Sequence, residues 1–128
     1  MEKLILVVDD EAAFREMMAR VLTKIGYEVH TAASAEEALE MIKTSKYMVC
    51  FLDLKLPKMN GIELCRIIRK DNPLTICYAV TGYADDFEVL DCREAGFEDF
   101  FTRPLNLQEI QGAAVQAFIK QSHWEKDQ

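Results

Sequence analysis

Tyr47-Met-Val-Cys-Phe-Leu-Asp53 is an apolar run that ends abruptly in a carboxylate. A run this short, apolar throughout and not alternating, predicts a strand buried on both faces, as inside a parallel sheet. Asp53 then stands where the strand leaves the sheet. Open parallel sheets bind ligands in the crevice outside the carboxyl ends of their strands. A strand-end aspartate also commonly just starts a turn. The meaning of Asp53 therefore depends on what ends the other strands.

Upstream, Leu4-Ile-Leu-Val-Val8 is a second apolar run, ending at Asp9-Asp10-Glu11. Phe14, Met17, Met18, Val21, Leu22 and Ile25 follow at the three-four spacing of one buried helix face, and Gly26 is a natural stop. Tyr27 to Thr31 alternates and predicts a short strand. Ser34, with Glu37 at the capping-box position, opens a second helix whose inner face is Ala35, Ala38, Leu39 and Ile42. Downstream of Asp53, Pro57 and Asn60-Gly61 mark a loop. Leu64, Cys65 and Ile68 mark a third helix ending before Asn72-Pro73. Leu74 to Val80 predicts a fourth strand running into Thr81-Gly82, and Asp99 to Thr102 a fifth, running into Arg103-Pro104. Between them, Asp85 or Asp86 could cap a short helix ending near Gly96. Asn106 opens the last helix, with Ile110, Ala113, Ala114, Ala117 and Phe118 on its inner face. Ser122 to Gln128 is polar and reads as a frayed tail or the start of a linker, so the expected domain is 1–121, with 122–128 outside it.

Strand and helix thus alternate five times, the pattern of an α/β domain with one parallel five-stranded sheet and helices on both faces. The pattern alone does not order the strands. The flavodoxin-like order 2-1-3-4-5 is a common solution for five such units and makes the first and third strands neighbours. In that order, three carboxylates, Asp9, Asp10 and Asp53, meet at one crevice, with Thr81 and Arg103 ending the next two strands. Carboxylates crowded together repel, and a small hard divalent ion relieves the repulsion. A carboxylate, a metal, a hydroxyl and a cation together suit phosphoryl chemistry, with Asp53 as nucleophile.

Whole-chain properties agree. The 128 residues suit one domain. The net charge of -7 argues against a nucleic-acid grip by this domain, and no apolar run approaches membrane-spanning length. The N-terminus shows no signal-peptide pattern. Cys50, Cys65, Cys77 and Cys92 are widely spaced, without a CxxC pair or nearby histidines. They read as core filler in a reduced, cytoplasmic setting rather than as zinc ligands.

The segments Val7-Val-Asp-Asp-Glu11, Leu52-Asp-Leu-Lys-Leu-Pro-Lys-Met-Asn-Gly61, Thr81-Gly-Tyr83 and Gly96-Phe-Glu-Asp-Phe-Phe-Thr-Arg-Pro104 closely resemble bacterial response-regulator receiver domains. The resemblance covers Leu4 to Gln121. It implies a phosphorylation-dependent switch of a two-component system. Asp53 would accept a phosphoryl group from a histidine kinase. Magnesium would be held by Asp9, Asp10, Asp53 and the backbone carbonyl of Lys55. Thr81 would swing toward the phosphoryl group and Phe100 would turn inward. Lys55 and Tyr83 would flank the bond, and the peptide before Pro104 would be cis. The fourth helix, fifth strand and fifth helix would form the surface that meets an effector. Such a domain turns over no separate substrate and is not expected to be an enzyme. One departure stands out: the family's lysine before that proline is Arg103 here, a planar fork in place of a compact point charge. An alternative reading is a phosphate-independent interaction module in which Arg103 is a standing charge in the pocket. A hydrolase with an aspartate nucleophile fits less well, because its second acid would fall where Lys55 stands.

Overall fold

In the computed structural model, which describes residues 3–82 and 89–126, five strands and five helices alternate along the chain. The strands are β1 (Leu4–Val8), β2 (Glu28–Ala32), β3 (Val49–Asp53), β4 (Ile76–Thr81) and β5 (Phe97–Thr102). They form one parallel sheet in the order β2-β1-β3-β4-β5, as expected. The helices are α1 (Ala12–Thr23), α2 (Ala35–Ile42), α3 (Gly61–Asp71), α4 (Val89–Ala95) and α5 (Leu107–Lys126).

The two faces of the sheet bury separate cores, as strand periodicity requires. Leu6, Val8, Cys50, Leu52, Cys77 and Ala79 point to the face covered by α2, α3 and α4. Ile5, Val7, Val49, Phe51, Tyr78 and Val80 point to the face covered by α1 and α5. β1 and β3 are buried at every position, which explains why they are apolar throughout except for Asp53 at the end of β3. β2 and β5 are edge strands and mix buried with exposed positions. All four cysteines are buried and unpaired to one another by disulfide.

The element ends depart from expectation in five places. β3 and β4 each begin two residues late, because Tyr47, Met48, Leu74 and Thr75 lie before the paired ladder. Tyr47, Met48 and Thr75 are nevertheless buried. β5 begins two residues early, at Phe97. Ile25, expected on the inner face of α1, lies past its end and is 38 % exposed. The largest departure is at the C-terminus: α5 continues to Lys126, through the segment expected to fray. Gln121 is buried there, and Trp124 packs against the α1–α5 core.

Local caps follow the sequence. The Ser34 hydroxyl accepts from the Glu37 amide at 3.1 Å, and Glu37 reaches back to the amide of Ala33 at 3.4 Å. The Asn106 side chain accepts from the amides of Gln108 and Glu109. Asn60, read only as a loop residue, caps α3 by accepting from the Glu63 amide at 3.0 Å. The helix start expected at Asp85 or Asp86 lies outside the described residues.

Candidate functional site

β1 and β3 are neighbours, and their carboxyl ends place Asp9, Asp10 and Asp53 side by side. One carboxylate oxygen from each lies within 4.8 Å of the others. Asp9 is fully buried, Asp53 is 7 % exposed and Asp10 is exposed. Such a set of hard oxygen donors fits a small divalent cation such as magnesium. Asp10 does not cap α1: the cap position is Glu11, and it makes no side-chain cap bond.

The two buried carboxylates are each fixed by the backbone. Asp9 Oδ1 accepts from the Glu11 amide at 2.8 Å, and Asp53 Oδ1 accepts from the Lys55 amide at 3.0 Å. Arg15 Nη1 donates to the Asp9 carbonyl at 2.8 Å, tying α1 to the end of β1. Burial pushes the Asp53 pKa up to about 6, and Asp9 and Asp10 add to the rise. The Lys55 amide and Arg103 oppose it. Asp9 is raised for the same leading reason, with the Glu11 amide and then Arg103 opposing.

Arg103 reaches this cluster from the end of β5, two strands from β3. Its Nη2 bonds Asp9 Oδ2 directly and lies 3.9 Å from Asp53 Oδ2. Its Nη1 bonds Glu11 Oε1 at 3.3 Å, and its Cζ sits 4.2 Å above the Phe14 ring. The Arg103 amide donates to the Thr81 carbonyl at 2.9 Å, and the Arg103–Pro104 peptide is cis.

Thr81 is buried at the end of β4, one strand beyond Asp53. Phe100 is half-buried on β5, opposite Ala79, and packs against the core under α3 and α4. Thr81 and Ala79 are two apart on β4, so Thr81 and Phe100 share one face of the sheet. Tyr83 lies outside the described residues. The site residues expected from sequence thus fall into two groups: Asp9, Asp10, Asp53 and Arg103 in contact range, with Thr81 and Phe100 on the adjoining strands.

Three residues at the site were not singled out by sequence. Glu11 and Phe14 hold Arg103, but in sequence one is simply the third acid of a run and the other a helix-core position. Gly61 is the third. A Cβ added there would collide with the Asp53 carbonyl oxygen and lie 2.9 Å from Leu54 Cα. The Gly61 amide donates to the Leu54 carbonyl at 3.2 Å, so the start of α3 rests on the end of β3. Only glycine permits that approach; the Asn60-Gly61 pair was legible only as a turn signal.

Known proteins resemble this chain in sequence and, among solved structures, in fold. The alkaline phosphatase synthesis transcriptional regulatory protein PhoP of Bacillus subtilis is 35 % identical over 122 residues, covering 95 % of this chain and 50 % of PhoP. The chain therefore spans about half the length of that relative. A response regulator receiver domain protein (CheY-like) from Methanospirillum hungatei superposes with a TM-score of 0.87 at 30 % identity, covering all of both chains. The BeF3-activated DrrB receiver domain superposes with a TM-score of 0.84 at 30 % identity, covering 92 % of this chain and 98 % of that one. The family model for the response regulator receiver domain matches residues 5–115. With the fold, the acidic cluster and these matches in agreement, the chain belongs to the response regulator receiver domain family of two-component systems.

Proposed function

We propose that this domain is a phosphorylation-dependent signalling switch with Asp53 as its phosphoacceptor. The observation that carries the reading is the convergence of Asp9, Asp10 and Asp53 within 4.8 Å at the ends of neighbouring strands. Asp9, Asp10, Asp53 and the Lys55 carbonyl would hold a magnesium ion, which supplies charge neutralisation for the incoming phosphoryl group. Asp53 attacks phosphorus on a phosphohistidine of a sensor kinase or phosphotransfer protein. The new oxygen–phosphorus bond forms as the phosphorus–nitrogen bond breaks, and the imidazole leaves with the electron pair. Thr81 then turns its hydroxyl toward the phosphoryl oxygens, and Phe100 moves inward against the core it already touches. Lys55 and, by the family resemblance, Tyr83 would bear on how fast water removes the group.

The output surface in this reading is the face built by α4, β5 and α5, which meets an effector domain or protein in the cytoplasm. The domain modifies itself and turns over no separate substrate, so it is a switch rather than an enzyme. The relationship to PhoP supports an effector that regulates transcription, and the activated DrrB structure supports a response to a phosphate mimic.

Incubation with magnesium and acetyl phosphate, followed by intact mass measurement, tests the acceptor. The expected result is one phosphate adduct on the wild type and none on Asp53→Asn. An adduct that survives the substitution, or none on either protein while magnesium binds, would remove Asp53 from this role.

A further inference from the structure

We infer that Arg103 is the resident cation of the acidic cluster, a built-in competitor that a divalent metal must displace from Asp9. The inference rests on the metal-dependent reading above and adds to it a determinant of cation affinity.

The geometry is specific. Asp9 is fully buried and both its oxygens are engaged. Oδ1 takes the Glu11 amide, which the backbone fixes. Oδ2 takes Arg103 Nη2, which a side-chain rotation can remove. The same nitrogen is 3.9 Å from Asp53 Oδ2, so the guanidinium lies between the two buried carboxylates of neighbouring strands. A metal bound by Asp9 and Asp53 would share this space with a fixed positive charge, and like charges at such range repel strongly.

Arg103 is also seated from outside. Glu11 takes its other terminal nitrogen, and the Phe14 ring supports its plane. A lysine ammonium lacks both the second arm and the planar face. Arg103 Nε, however, is buried without a hydrogen-bond partner. The seat therefore satisfies the two ends of the fork and leaves the third donor direction unused. Once moved off Asp9, the guanidinium can present a bidentate pair of donors to an anionic group beside Asp53. The residue that holds the cation site closed is then the one that receives the anion.

Calorimetric titration of the full chain with magnesium chloride tests this, using the wild type, Arg103→Met and Phe14→Leu. Arg103→Met is expected to bind magnesium about tenfold more tightly, as if the seated guanidinium left Asp9 accessible in about a tenth of molecules. Phe14→Leu keeps every charge and loosens the seat, and is expected to tighten binding about threefold by the same reasoning. In nitrogen-detected NMR of the wild type, the Arg103 Nε signal is expected to shift as magnesium saturates. Equal affinity across the three proteins would overturn the competition and leave the metal site standing. A tighter Arg103→Met with an unchanged Phe14→Leu would also overturn it, because charge rather than seating would then set the affinity. A stationary Nε signal at saturation has the same consequence, and needs no variant to fold. Failure of all three proteins to bind magnesium would instead remove the metal-dependent reading itself.

Discussion

Asp53 burdens the fold it serves. Its ordinary pKa of 3.8 is pushed up to about 6 by burial, so between those values the folded chain holds a proton that the unfolded chain releases. Below about pH 4 the carboxyl is protonated in both states and burial adds no ionisation penalty. As pH rises through 6 the penalty becomes complete, so stability falls with rising pH across this window; Asp9, raised for the same reason, acts in the same direction. Thermal melts in EDTA are expected to show Asp53→Asn gaining on the wild type from pH 4 to pH 7. The advantage at neutral pH should be on the order of 1–3 kcal/mol; a difference that stays constant with pH would contradict this origin. Gly61 gives a second residue-level prediction. Gly61→Ala forces a Cβ into the Asp53 backbone, and is expected to lower stability in urea by about 1–3 kcal/mol, the usual cost of overpacking. An unchanged midpoint would mean that α3 can back away freely. The sequence showed which acids end which strands, because apolar runs terminating in carboxylates are a local pattern. It did not show that Arg103 would choose Asp9 and Glu11 over Asp53. That choice depends on the reach of a side chain across the crevice and on a ring, Phe14, whose spacing looks like any other core position.

At the scale of elements, α5 was the least legible. Ser122 to Gln128 is polar, and polarity at a chain end ordinarily marks fraying. The helix continues where it packs on the α1 side of the sheet, with Gln121 reaching the strand starts. Gln121 Nε2 donates to the carbonyls of Met48 at 2.6 Å and Leu74 at 2.9 Å. One side chain thus ties together the two carbonyls just ahead of β3 and β4. A buried glutamine is an unusual staple, and its solitary position in the sequence gave no signal of it. Gln121→Ala is expected to cost about 1–3 kcal/mol, the loss of two buried hydrogen bonds in part offset by solvent entry. Amide hydrogen exchange should locate the loss at the starts of β3 and β4. Exchange that changes only at the end of α5 would show that the clamp holds the helix and not the sheet. The remaining helices were legible for a physical reason: Ser34, Asn106 and the three-four spacing of α1 and α3 act within one or two turns, where sequence neighbours are spatial neighbours.

The whole molecule is acidic, with a net charge of -7, and one broad groove of about 550 Å³ concentrates that character. It runs between β5 and α5, lined by Glu98, Asp99 and Glu109 with Phe100 and Gln116. Lys120 is committed to Glu98 at 3.0 Å. A symmetric pairing through this face would bring like charges together. The domain is therefore expected to remain monomeric in light scattering at physiological salt with magnesium and beryllofluoride; a tight symmetric dimer through this face would contradict that. The fold class was legible in the alternation of buried strands and amphipathic helices, whereas the 2-1-3-4-5 order was expected only as a common solution for five such units. The charge of the face was visible only as scattered acids until β5 and α5 set them along one groove. The pairing of Asp9 with Arg103 carries a last consequence. These residues are 94 positions apart, at the ends of the first and last strands. During synthesis and folding, the acidic pair can form as soon as β3 docks on β1, but its counter-charge arrives only when the final strand has been added. The order of assembly thus makes the completed site a report that the sheet has formed through β5, and a chain that stalls before β5 never acquires it.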